Sequence, residues 1–178
     1  MLENQIAISI RSALLPRLQA RNINAEVKQG NQPSAQGVPT GPLVFFFIVL
    51  NKRYGFPERS TEWDEGAQAM RATVSEVIET TIQFGALSTQ NPADDFALTA
   101  GDILKATASV LQSDAALADL RRDGLGVLRV QDLRTGYTVG DKGEFMASPS
   151  FDIVVTHRDT TSEIIGIVNA REVNIHRV

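Results

Sequence analysis

Gly41-Pro42-Leu43-Val44-Phe45-Phe46-Phe47-Ile48-Val49-Leu50 is the stretch on which the fold turns. Three of the eight phenylalanines stand in a row there, and the run is apolar from Pro42 to Leu50. β-Branched and aromatic residues at that density, bounded by turn formers, predict a strand buried on both faces. A membrane-spanning helix needs about 20 apolar residues, and this run is far shorter. A strand buried on both sides needs two covers, and the flanking sequence offers both helices and further strands. The expected class is α+β: a mostly antiparallel twisted sheet with a long hairpin, flanked by an N-terminal helix and a central helix pair.

Upstream of that strand, residues 3–20 place Ile6, Ile10, Ala13, Leu14 and Leu18 at helical spacing, with Glu3 at the positive end of the dipole. Pro16 predicts a bend there, or an end near Leu15. Ala25-Glu26-Val27-Lys28 is a short strand candidate. Residues 30–41 carry three glycines and two prolines and predict a long loop. Such a loop reads either as a plain connector or as a contact surface.

Downstream, Asn51-Lys52-Arg53-Tyr54-Gly55-Phe56-Pro57-Glu58-Arg59 mixes basic and aromatic side chains. That mixture suits a nucleic-acid surface, or else a strand end followed by a turn at Gly55 and Pro57. Glu62-Trp63-Asp64-Glu65-Gly66 sets the one tryptophan among three carboxylates. Without the ligand spacing of a calcium loop it reads as a solvated acidic turn. Residues 67–90 fit a helical or a strand period. The β-branched set Thr73, Val74, Val77, Ile78, Thr80, Thr81 and Ile82 decides for a long strand antiparallel to the first. The basic-aromatic and acidic segments would then lie in the connection between the two strands. Asn91-Pro92 marks a turn, and Thr99 with Asp102 marks the cap of a helix running to about Gln112. Ser113 caps a second, short helix that Gly124 stops, with Arg121 and Arg122 in its last turn. Strands follow at 127–133 and 151–157. Turns are expected at 136–143 and 159–162, and one or two more strands from 164 onward.

With 178 residues, one domain spanning 1–178 is expected. A formal charge of −4 does not advertise affinity for phosphate backbones. The absence of cysteine excludes disulfides, thiolate metal sites and thiol catalysis. No cleavable export signal is expected at the start. His157 and His176 are the two histidines, and no zinc-binding helix motif surrounds them. A Gly-x-Ser-x-Gly elbow, a phosphate-cradling loop and a dinucleotide fingerprint are all missing. A triad of Ser148 or Ser150 with His157 and an aspartate can be drawn, but no spacing specifies its geometry. The expectation is a protein without catalytic, metal or cofactor site.

Several short runs together carry a resemblance. They are Gln36-Gly37-Val38-Pro39-Thr40-Gly41-Pro42, Arg53-Tyr54-Gly55-Phe56-Pro57, Asn91-Pro92, Val110-Leu111-Gln112-Ser113, Ala147-Ser148-Pro149-Ser150-Phe151-Asp152 and Asn174-Ile175-His176-Arg177. In that order, over essentially the whole chain, they resemble the neck or tail terminator proteins of long-tailed bacteriophages. The resemblance implies a sheet flanked by helices, assembled as a homohexameric ring in the virion after assembly in the host cytoplasm. It implies as partners the tail tube protein and the head–tail connector, with phage DNA passing through the ring and no membrane involved. A repeated net negative charge would keep that DNA from sticking. Gln36, Val38, Pro39, Arg53, Tyr54, Phe56, Arg59 and Trp63, in the loop 30–41 and the connection 53–66, are the candidate interface residues. Another connector ring of the same neck, or a small nucleic-acid-binding module, is the alternative.

Overall fold

The computed structural model describes residues 2–30, 41–88, 93–94, 96–139 and 145–165. Helix α1 (Glu3–Gln19) leads into strand β1 (Glu26–Gln29), then β2 (Leu43–Asp64) and β3 (Ala69–Leu87) form a long hairpin. Helices α2 (Ala100–Leu111) and α3 (Asp114–Arg122) follow, then β4 (Gly126–Val130), β5 (Tyr137–Val139), β6 (Phe145–Ala147) and β7 (Ser150–Ile165). The main sheet has the order β1-β2-β3-β7-β4, and β5 and β6 pair separately. β1 runs parallel to β2 and every other pairing is antiparallel, so the fold is the α+β class expected.

Alternation along the strands sorts their side chains onto two faces. One face buries Val44 and Phe46 from β2, Ile82, Phe84 and Ala86 from β3, and Phe151, Ile153 and Val155 from β7. Register sets Phe46 opposite Phe84 and Phe84 opposite Phe151. Their rings stack at centroid distances of 5.4 and 5.1 Å. Burying each phenyl ring contributes about 1.5–3 kcal/mol, and each such aromatic pair adds about 0.5–1.5 kcal/mol. All three helices press into this face, α1 with Ile6, Ile10, Leu14 and Leu18, α2 with Ile103, Leu104 and Leu111, and α3 with Leu120.

The opposite face corrects the expectation of a strand buried on both sides. Phe45 and Phe47 are only half-buried. Among the described residues no helix covers them, because α1, α2 and α3 pack on the other side. Phe45 instead lies across the backbone of its cross-strand partner Gly85. Nearby, Asp152 accepts hydrogen bonds from Gln83 (3.1 Å) and Arg134 (2.8 Å), a polar arrangement suited to solvent.

α1 also runs past Leu15 to Gln19 in spite of Pro16. The proline is exposed, Leu18 beyond it is fully buried, and Arg17 reinforces the turn by donating to the Ala13 carbonyl at 2.7 Å. Arg17 also donates to Asp119 at 2.6 Å, tying α1 to α3. The N-cap of α2 is as read: Thr99 Oγ1 accepts from Asp102 N, and the Asp102 carboxylate accepts from Thr99 N, both at 3.2 Å. Residues 159–162 do not turn the chain, because β7 continues through them to Ile165 along β3. The expected tip at Asp141-Lys142-Gly143, the turn at Asn91-Pro92 and any strand from 166 onward lie outside the described residues.

Candidate assembly surface

Beyond the helices, β2, β3 and β7 continue together as a three-stranded arm. The register is unbroken from Thr80 to Met70 on β3 against Val155 to Ile165 on β7. Polar pairs hold the arm on the face turned away from the helices. Thr73 meets Ser162 at 3.1 Å, Ser75 meets Thr160 at 3.3 Å, and Arg158 donates to Glu58 at 3.0 Å. At the end, residues 65–68 make the turn, where Asp64 accepts from Ala67 N at 2.9 Å and from Arg71. Those bonds, the backbone one first, hold the Asp64 carboxyl below its ordinary pKa. Gln68 takes a positive φ of 47° to close the turn.

The helix-side face of the arm is different in chemistry. Met70, Ala72, Val74 and Ile78 of β3 share it with the buried Ile82 and Phe84, since β3 keeps one alternation throughout. Trp63 pairs with Met70, and Arg59 with Val74, on the same face. Met70, Ala72, Val74 and Ile78 continue the line of the core face past the helices and are half-buried, with Glu76 interrupting them and Arg59, Thr61, Asp159 and Glu163 beside them on the neighbouring strands. At the boundary a polar chain runs from the buried His157 and Thr80 to the exposed Asn51. Thr80 Oγ1 donates to Asn51 at 2.8 Å, which commits its proton, so His157 Nε2 must be the donor across the 3.2 Å to Thr80. His157 Nδ1 is buried with no hydrogen-bond partner, and burial pushes the imidazole pKa down from 6.5.

β2 carries two irregularities. Val49 is an extra residue between Ile48 and Leu50, and Gly55, Phe56 and Pro57 together face the single residue Glu76. Gly55 has φ of 77°, a conformation that favours glycine, and the bulge leaves Phe56 99% exposed.

The candidate interface residues therefore fall in two groups. Gln36, Val38 and Pro39 lie outside the described residues. Arg53, Tyr54, Phe56, Arg59 and Trp63 are not in a loop between strands; all five belong to β2 itself. That corrects the turn expected at Gly55 and Pro57, because the hairpin closes ten residues later at 65–68. It also separates them: Arg53 and Trp63 share the helix-side face with Arg59, Tyr54 points the other way, and Phe56 stands on the bulge. Arg53 is engaged by Glu76 at 3.3 Å. The basic and aromatic side chains are thus divided, with Arg53, Arg59 and Trp63 on one face and Tyr54 on the other. The drawn triad does not assemble either, since Ser150 and His157 are seven residues apart on one strand, about 23 Å. Among the described residues no cluster of His, Asp or Glu could hold a metal, and no helix is long and apolar enough to cross a membrane.

A second surface escaped the sequence. A groove of about 460 Å³ runs between α1 and β1, lined by Asn4, Ala7, Ile8, Arg11, Val27, Lys28, Gln29 and Phe46. A second hollow of about 390 Å³ extends the same seam past Arg11 and Lys28 toward Gln19. Asn4, Ala7, Ile8 and Arg11 form one helical stripe beside the core stripe of Ile6, Ile10 and Leu14. The available signal was Ile8, an isoleucine standing off the buried face and well exposed.

The chain is similar to the sheath/tube terminator of an extracellular contractile injection system, PVC, solved in its extended state by cryo-EM. The TM-score is 0.52 and the identity 12%, over 100% of this chain and 64% of that one. The family described as E217 gateway protein gp29 matches residues 5–167, and the chain belongs to that family. No curated protein matches the sequence.

Proposed function

We propose that the protein is a structural component of a tailed-phage virion, acting as one domain over its whole length. Six copies form a ring at the head-proximal end of the tail tube. The ring ends tube polymerisation and presents a face to the head connector, and DNA passes through its lumen. Assembly takes place in the host cytoplasm, and no active site belongs to this role.

The observation that carries the reading is the arm. A three-stranded projection whose helix-side face sets Trp63, Met70, Ala72, Val74 and Ile78 among charged neighbours, with no helix over them among the described residues, is suited to a neighbour's surface. Membership of a gateway-protein family and a fold like that of a tube terminator support the same reading. The chain spans 64% of that terminator's length, so the remaining third of the terminator has no counterpart here. Membership of a family of gateway proteins also favours a second reading, an adjacent ring of the neck that meets the connector without capping the tube.

Electron microscopy of the purified protein mixed with tail tubes of its own phage separates the two. Rings at one tube end, and shorter tubes when the protein is present during polymerisation, are the expected result. Tube ends left bare, with binding to connector instead, would move the assignment to the neighbouring ring. Salt-sensitive binding of DNA by the isolated protein would argue for the nucleic-acid module.

A further inference from the structure

Two surfaces of the chain complement each other and cannot meet within one copy. The first is the tip of the arm. Trp63, the one tryptophan of the chain, is 53% exposed there between Glu62 and Asp64, with Glu65 opening the turn. Asp64 is taken by Arg71, whereas Glu62 and Glu65 have no ion-pair partner among the described residues. Alternation puts Glu62 on the strand face opposite Trp63, so the tip presents the indole on one face, Glu62 on the other and Glu65 in the turn beyond them.

The second surface is the α1–β1 groove. Ala7, Ile8, Val27 and Phe46 give it apolar walls, Arg11 stands on the α1 side of its rim, and Lys28, in register with Phe45, stands on the far face of the edge strand that borders it. Arg11 has no ion-pair partner among the described residues. Lys28 reaches Glu26 at 2.6 Å in an exposed pair, of a kind that holds its partners weakly. An apolar slot with a cationic rim suits an aromatic anchor with acidic neighbours.

Within one molecule the two stay far apart. Phe46 in the groove is paired with Phe84, and Trp63 at the tip is paired with Met70. Fourteen residues of β3 separate those partners, about 46 Å at the strand rise. β3 is in continuous register with β7 along that whole length, so the tip cannot fold back onto its own groove.

We propose that the arm tip of one copy, led by Trp63, seats in the α1–β1 groove of a second copy, with Glu62 and Glu65 against Arg11 and Lys28. The inference rests on the ring reading above and names the contact that joins neighbours. Tip and groove are different patches, so the contact is heterologous, and its repetition closes a ring when the rotation returns to its start.

The test uses rings assembled on tube ends from the full chain. The protein has no cysteine, so a Glu62→Cys, Lys28→Cys variant carries the only two thiols. A short bis-maleimide should link its neighbours into a ladder of multimers, and neither single variant should go beyond dimers. A control pair, Glu62→Cys with Arg122→Cys, should give no ladder. Arg11→Glu with Lys28→Glu should weaken ring formation by about tenfold or more, and adding Glu62→Lys with Glu65→Lys in the same chain should restore it. Trp63 emission should shift to the blue and lose iodide quenching as rings form. Rings seen by microscopy with Trp63 still fully quenchable and no ladder would overturn this contact and leave the ring reading standing. Absence of rings on tube ends would remove both.

Discussion

At Gly85 the sheet has no room for a side chain, because a Cβ there would overlap the Phe45 ring laid across it. The fit is reciprocal: the glycine accepts the ring, and the ring shields a backbone that no helix covers. Gly85→Ala should destabilise the fold by about 1–3 kcal/mol in urea unfolding, the cost of forcing the ring aside. Combining it with Phe45→Leu should cost less than the two single changes added together, whereas additive costs would show that the two residues do not touch. His157 makes a second prediction at this scale. Its Nε2 is spent on Thr80 and its Nδ1 has no acceptor waiting, so the folded state disfavours the charged imidazolium. The folded pKa is lowered, so below 6.5 the unfolded chain binds the proton more readily. Stability should be complete above pH 6.5 and decline as pH falls from there through the lowered folded pKa. His157→Gln should flatten the decline of unfolding free energy between pH 7 and 5, a window above that in which Asp64, Asp102 and Asp119 titrate. An unchanged slope in the variant would assign the effect elsewhere.

At the scale of elements, the helices show how caps make a sequence readable. Thr99 and Asp102 satisfy each other's backbone donors, and Ser113 accepts from Ala116 N at 3.4 Å at the start of α3. Thr99→Ala should cost about 1 kcal/mol, read as a lower thermal midpoint, while Asp94→Ala, in the exposed segment before the helix, should cost less. The apolar half of β2 and the β-branched β3 were equally legible, because burial and steric preference both leave marks in composition. The distal half of β2 left none. From Asn51 to Trp63 every residue is exposed, so no apolar alternation records the strand, and Gly55 and Pro57 imitate a turn. What holds that half extended is its partner: β3 supplies the stiff side chains and the ladder, and the bulge absorbs the glycine and proline. Residues 159–162 of β7 misled for the same reason, since Asp-Thr-Thr-Ser reads as a turn unless β3 lies alongside. The α1–β1 groove was illegible for another reason, because it arises only when a helix and an edge strand from separate stretches meet.

At the scale of the whole molecule, two parts with different dependence on solvent are joined end to end. The buried cluster uses α1, α2, α3 and the base of the sheet, and it contains nothing between Ile48 and Ile82. The distal hairpin therefore adds little burial to the fold that carries it, although it occupies much of β2 and β3. Replacing residues 55–76 by Asn-Gly would join Tyr54 to Val77, which already face each other across the ladder, with a two-residue turn suited to a hairpin. The shortened protein should unfold cooperatively with a free energy within about 1 kcal/mol of the intact chain, because none of the removed residues belongs to the buried cluster. It should also fail to appear on tube ends, since it lacks Trp63 and the apolar stripe from Met70 to Val74. A shortened protein that still formed rings would place the subunit contacts on the helical body. One that lost cooperative unfolding would show that the arm shares the stability of the core. A hairpin this long, built from residues that add nothing to the buried cluster of their own chain, is best accounted for by a surface supplied from outside, and the shortened protein measures that separation of folding from assembly directly.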